Sequence, residues 1–212
     1  MWLYEIVDVF FPSIYLAKLN ATYNRQRVDQ QLREARRVRD LVANRHPSRP
    51  KPLIFTFTWM DYDIPGSSTT HLHPLDLETA FARPASVWGV AGSVVWGSSI
   101  DTRNATLCGT GPGSKSAYVN HSLGPIVRRA VAQAKSCTAS VCSGHGTCWH
   151  PGGVGPSAWH PGGVGPSACD CDHGWTGDQC ASKSELQQPA TAPGGLVGWV
   201  SRLVGCVSRL VG

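Results

Sequence analysis

Six of the eight cysteines fall between Cys137 and Cys180, in the spacing C-x4-C-x5-C-x20-C-x-C-x8-C. That cluster constrains the fold more than any other feature. A segment this short cannot bury enough apolar surface to hold itself together, and disulfides formed in an oxidising compartment supply what the core lacks. Zinc is the rival use of clustered cysteines, but no pair of C-x2-C units is present, so no metal is expected. Six cysteines allow many pairings, and spacing alone does not choose among them. Sequons at Asn20 (Asn20-Ala21-Thr22), Asn104 (Asn104-Ala105-Thr106) and Asn120 (Asn120-His121-Ser122) agree with a secretory route and make these asparagines candidate glycosylation sites. Yet Met1-Trp2-Leu3-Tyr4-Glu5 has no basic residue, and Glu5 and Asp8 interrupt its apolar run. It does not read as a signal peptide. The expectation is a secreted, extracellular or lysosomal protein whose start is missing from this chain.

Residues 1–136 read differently, as alternating strand and helix. Phe10 to Leu16 is a short continuous apolar stretch, as in a strand buried on both faces. From Tyr23 to Asn44, Val28, Leu32, Ala35, Val38, Leu41 and Val42 recur at helical spacing. Leu53 to Trp59 is rich in β-branched and aromatic residues, a second strand. A short helix from Pro74 to about Arg83 is expected to be cut off by Pro84. Gly92 to Gly97 is a third strand, and a last helix from about Ser116 to Lys135 is expected to kink or restart at Pro125. Such repeats make a parallel sheet, open or closed as a barrel. Three units do not close a barrel.

With 19 Lys and Arg against 14 Asp and Glu, the net charge of +5 is far below that of a dedicated nucleic-acid binder. No nucleic-acid partner is expected. No apolar run reaches about 18 residues, so no transmembrane segment is expected either. Two tandem duplications stand out: WHPGGVGPSA at 149–158 and 159–168, and VSRLVG at 200–205 and 207–212. Perfect short copies fit recent duplication or a gene-model fault better than a solenoid. The Pro- and Gly-rich tail, 181–212, is expected to be disordered.

In parallel α/β folds the working side chains stand at the carboxyl ends of strands. Those positions are Tyr15 after the first strand, Tyr62 and Asp63 after the second, and Trp96 after the third. Aromatic rings there can stack on sugar faces, or they can cap a core. The helix from Arg25 to Arg45 carries seven arginines against Asp29, Glu34 and Asp40. It can attract a polyanion or present a solvated face, and the solvated face is the expectation. His71, His73 and His121 are isolated and read as loop or surface residues.

Several stretches, in order, resemble the animal hyaluronidases, glycoside hydrolase family 56. They are Trp2-Leu3 with Phe11-Pro12-Ser13-Ile14-Tyr15-Leu16, Tyr23-x-Arg25-x-Arg27-Val28, Leu75-Asp76-Leu77-Glu78 and Gly92-Ser93-Val94-Val95-Trp96-Gly97-Ser98. Ser140 to Cys148 and Cys169 to Cys180, with Gly174-Trp175-Thr176-Gly177, are similar to the EGF-like module behind that family's barrel. The resemblance implies an α/β fold: the C-terminal half of a (β/α) TIM-like barrel over 1–136, then an EGF-like β module over 137–180. It implies the pairings Cys137–Cys148, Cys142–Cys169 and Cys171–Cys180, and leaves Cys108 and Cys206 unpaired. It implies hydrolysis of β-1,4 bonds in hyaluronan, or a related glycosaminoglycan such as chondroitin, without a cofactor. In that mechanism the substrate's own acetamido group attacks, and the enzyme supplies one glutamic acid.

By motif, Tyr15 and Trp96 match residues that line the acetamido subsite, and Asp63, or Asp61 in the alternative register, matches the family's acidic residue at the end of the second strand. Tyr62 joins them by position, and Arg27 by its place at the start of the helix near the cleft. The family's catalytic D-x-E lies on an earlier strand, ahead of anything in this chain. Asp76-Leu77-Glu78 has the same letters but lies in an outer helix, so the general acid is expected to be absent. The rival expectations are a glycan- or protein-binding remnant and an incomplete gene model.

Overall fold

The structure, a computed structural model, describes residues 2–17, 20–62, 71–96, 111, 114–150 and 167–184. Asp63, Asn104, Cys108, Cys206, most of the tandem duplication at 149–168 and the tail from 185 lie outside the described residues, as does the side chain of Trp96.

A short helix α1 (Trp2–Ile6) leads into β1 (Val9–Phe10), α2 (Ala21–Arg45) and β2 (Leu53–Trp59). Helices α3 (Pro74–Leu77) and α4 (Arg83–Trp88) follow, then β3 (Gly92–Trp96). The strands form one parallel sheet in the order β1-β2-β3. The first strand is shorter than its apolar stretch, because Pro12 has no N–H to give. Pairing resumes beyond it, where Ser13 bridges Phe57 and the Ile14 N–H donates to the Phe57 carbonyl at 2.9 Å. In β2, Ile54, Thr56 and Thr58 are buried, while Phe55, Phe57 and Trp59 share the other, half-buried face. At Gly92 a Cβ would meet the Phe55 ring at 2.7 Å, so a larger residue there would force that ring to move. The core gathers Ile14, Leu32, Ile54, Leu77, Phe81 and Trp88.

The expectation that Pro84 ends its helix is corrected. Residues Glu78–Ala82 form a π turn, in which the Arg83 N–H reaches back to the Glu78 carbonyl. Pro84 then falls in the first turn of α4, where a missing N–H leaves nothing unpaired. The same device recurs further on. Helix α5 (Lys115–Tyr118) passes through a π turn, Val119–Leu123, into α6 (Gly124–Ser140), with Pro125 in the first turn of α6. Helix α6 also continues past Lys135, so Cys137 lies inside it and the expected boundary at 136/137 falls within one helix.

Beyond α6, β4 (Gly146–Trp149) and β5 (Ala168–Cys171) pair antiparallel, as do β6 (Trp175–Thr176) and β7 (Ser182–Lys183). Disulfides join Cys137 to Cys148, Cys142 to Cys169 and Cys171 to Cys180. This small unit is fastened to the sheet unit. Gly89 ends α4 in the left-handed conformation (φ +60°), and a Cβ there would meet the Cys148 carbonyl at 2.7 Å. The Arg36 guanidinium lies 3.8 Å from the Trp149 ring and donates to the Trp88 carbonyl and to Asp170. Asp170 also pairs with Arg39 and Lys51. Two arginines expected on a solvated face are therefore a buried clamp. Burial, and then the neighbouring Arg39 charge, lower the Arg36 pKa to about 10, which leaves it a cation at neutral pH.

Candidate functional site

All three parallel strands present their carboxyl ends to one edge of the sheet. Tyr15, half-buried, follows β1 and packs its ring against Phe57 and Trp59, with centroids 6.2 and 5.2 Å apart. The register sets Trp59 directly beside Trp96 of β3. Of the residues singled out in the sequence, Tyr15 and Trp96 are thus brought to the same rim. Trp59 was missed. Its signal was the period-two alternation of β2, which puts Phe55, Phe57 and Trp59 on one face.

Two residues past β2, Asp61 is held in an ionic cluster. Lys115 donates to Asp61 Oδ2 at 2.6 Å, and His71 Nδ1 lies 2.6 Å from Oδ1. The His71 ring stacks on Tyr118 at 4.1 Å, and the Tyr118 hydroxyl donates to the Leu72 carbonyl. Lys115 is almost fully buried, so Asp61 is its counter-ion. Burial pushes the Asp61 carboxyl upward, but the hydrogen bonds from His71 and Lys115 outweigh it and hold the pKa below the usual carboxylate range. Asp61 stays ionised and cannot donate a proton near neutral pH. Burial, and then the Asp61 charge, raises the Tyr118 hydroxyl well above its usual pKa. His71, expected as a loop or surface residue, is a structural partner.

Tyr62 does not stand at the rim. It is 3% exposed, donates to Asp76 Oδ2 at 2.6 Å, and accepts the His73 N–H. Asp76 also accepts from Asn24. Burial and this bond to Asp76 raise the Tyr62 hydroxyl to about 12. Its place is in the packing between strand and helix. Glu78 pairs with Arg129 of α6 and not with any rim residue described above. Arg27 is half-buried in the first half of α2. Asn20 and Asn120 are exposed. Among the described residues, no group of three His, Cys, Asp or Glu is placed to hold a metal, and no helix is long and apolar enough to cross a membrane.

The family model for glycoside hydrolase family 56, described as hyaluronidase, matches residues 1–152. The chain belongs to the hyaluronidase family. Hyaluronidase-1 of Mus musculus is 33% identical over 154 residues, 69% of this chain and 29% of that protein. Hyaluronidase-1 of Homo sapiens is 30% identical over 148 residues, 69% of this chain and 31% of that protein. The chain therefore spans about 30% of the length of these hyaluronidases. Among solved structures, bee venom hyaluronidase in complex with a hyaluronic acid tetramer is similar, with a TM-score of 0.51 and 28% identity. That likeness covers 61% of this chain and 37% of the bee chain.

Proposed function

We propose that this chain is the C-terminal part of a hyaluronidase barrel, followed by an EGF-like module, and that its rim binds the acetamido sugar of hyaluronan or a related glycosaminoglycan. The observation that carries this reading is the packing of the Tyr15 ring on Trp59 at the strand ends, in register with the end of β3, on a chain similar to an enzyme solved with a hyaluronic acid tetramer. Rings at that edge can stack on pyranose faces and exclude water from the bond to be cut. Asp61 is an acidic residue two positions past β2, and Asp63 is the match by motif.

The complete reaction, hydrolysis of β-1,4 bonds assisted by the substrate's acetamido oxygen, also needs a carboxylic acid that protonates the leaving oxygen. Asp61 is ionised, and Asp76 and Glu78 are committed to Asn24, Tyr62 and Arg129. The acid belongs to the D-x-E strand of a longer barrel. The open flank of β1 suits that partner. A groove of about 750 Å³ runs along α1, β1 and α2, with Leu3, Tyr4, Phe11 and Val38 in its walls. A preceding strand and helix of the barrel would cover it and pair the outer edge of β1, which no strand among the described residues pairs. Secretion or lysosomal delivery follows from the disulfides and sequons.

General acid catalysis is worth roughly 10²–10⁴ in rate. The 212-residue chain is therefore expected to leave hyaluronan intact across roughly pH 3.5–7, which brackets a carboxylic acid's working range. Joined to a D-x-E half from a related hyaluronidase, it is expected to cleave, and Tyr15→Phe or Trp96→Ala should then weaken cleavage. A gel or viscometric assay reads both. Depolymerisation by the short chain that is lost on Glu78→Gln would overturn the assignment.

A further inference from the structure

A second cleft, of about 610 Å³, opens where the first turn of α2 meets the α3 helix, its π turn and α6. Thr22, Arg25, Leu75, Glu78, Arg129 and Gln133 line it, and no rim residue does. Its chemistry is polar, with Arg25 and Arg129 set against one carboxylate, Glu78. Glu78 accepts from Arg129, Gln133 is exposed, and Leu75, 68% exposed, adds an apolar wall. Guanidinium and amide groups can donate to hydroxyl and acetyl oxygens, while a leucine packs on the C–H face of a pyranose. That combination suits an N-acetylated sugar, with Glu78 already paired to Arg129 and the donors and leucine of the wall set to meet its hydroxyl, acetyl and C–H groups.

The sequence places such a sugar next to it. Ala21 and Thr22, which form part of the cleft wall, are the second and third residues of the sequon Asn20-Ala21-Thr22. Asn20 is exposed, has an extended backbone, and caps α2 by accepting the Tyr23 N–H on Oδ1 at 2.7 Å. Capping uses the carbonyl oxygen, whereas glycosylation uses the amide nitrogen. Attachment replaces one hydrogen on Nδ2 and leaves Oδ1 as an acceptor, so one side chain serves both purposes.

We propose that Asn20 carries an N-linked glycan whose innermost N-acetylglucosamine lies in this cleft, tying the start of α2 to α3 and α6. The bond forms between Asn20 Nδ2 and C1 of a sugar supplied by a lipid-diphosphate-linked oligosaccharide. The lipid diphosphate leaves, and the amide proton passes to the transferase base. Because the sugar is tethered, even a weak cleft is filled, since the linkage holds it at a high effective concentration.

The test uses the full chain secreted from a eukaryotic host, with glycopeptide mass spectrometry at Asn20. Release of the glycan by a peptide N-glycosidase is expected to be about tenfold faster from Gln133→Ala than from the wild type under native conditions, the worth of one or two hydrogen bonds. After denaturation the two rates should be equal. Gln133 is exposed, so the substitution is tolerated. As a second readout, Asn20→Asp keeps the cap but cannot be glycosylated. Amide exchange over residues 129–133 should be faster in Asn20→Asp than in the glycosylated wild type. An unoccupied Asn20, or equal native release rates together with equal exchange, overturns the proposal.

Discussion

Replacing Asp170 with asparagine leaves the Arg36 and Arg39 guanidinium groups buried beside a neutral amide. The side chains of Arg36, Arg39 and Asp170 are 5%, 7% and 11% exposed, so little solvent screens the charges. Removing one partner of a buried pair costs about 3–5 kcal/mol, because the remaining charge is left uncompensated. Two features argue for the lower end. Arg39 also holds Asp40 at 2.8 Å, and Arg36 keeps the Trp88 carbonyl and the Trp149 ring. The half-exposed Lys51 adds little.

A loss of about 3 kcal/mol, divided by a urea m-value of about 2 kcal/mol per molar, moves the midpoint down by about 1.5 M. Tryptophan fluorescence reads the transition. The acid dependence supplies a second check. Burial raises the Asp170 carboxyl, but Arg39, Lys51 and Arg36 together bring it below its usual value. Its contribution is therefore present above the unfolded pKa of about 3.9 and is lost as pH falls through the lower folded value. The gap between wild type and Asp170→Asn should narrow below about pH 4. A midpoint shift under about 0.3 M, or a gap that does not change with pH, would refute the clamp.

Tyr62→Phe strands the His73 N–H and removes a donor from Asp76, so urea unfolding should show a loss of about 1–3 kcal/mol. In a barrel completed with the D-x-E half, the same variant should leave KM for hyaluronan unchanged, whereas Tyr15→Phe should raise it. Asp61→Asn should cost about 3 kcal/mol by removing the carboxylate charge paired with the buried Lys115 ammonium, and Asp61→Asn with Lys115→Met should recover most of that in a double-mutant cycle. The chain alone should bind a hydrophobic dye through Trp2, Leu3 and Phe11, which are 73%, 53% and 55% exposed. Phe11→Ser should lower that fluorescence without moving the urea midpoint.

Much of the fold was legible because it follows from local periodicity. The alternation of β2 and the three- and four-residue spacing of α2 record which side chains meet a core, so their bounds could be read to within a residue or two. The rim positions of Tyr15 and Trp96 followed from the strand ends. The restart at Pro125 was legible from the proline itself, which stands in the first turn of α6. Pro84 was read by a rule that holds for unbroken α-helices; a π turn ahead of it moved the proline into a first turn, and helix propensity carries no record of that choice.

Tyr62 showed the limit of position: one residue from Asp61, it turns inward because Asp76, itself held by Asn24, offers it a buried partner. The arginines of α2 show the limit of composition. Arg36 and Asp170 are 134 residues apart, and a helix face carries the same letters whether water or a carboxylate covers it. Cysteine spacing and strand alternation are properties of the chain. Which arginine is buried was decided only when the disulfide unit packed against α2, because burial is set by what lies opposite a residue and not by its neighbours in sequence.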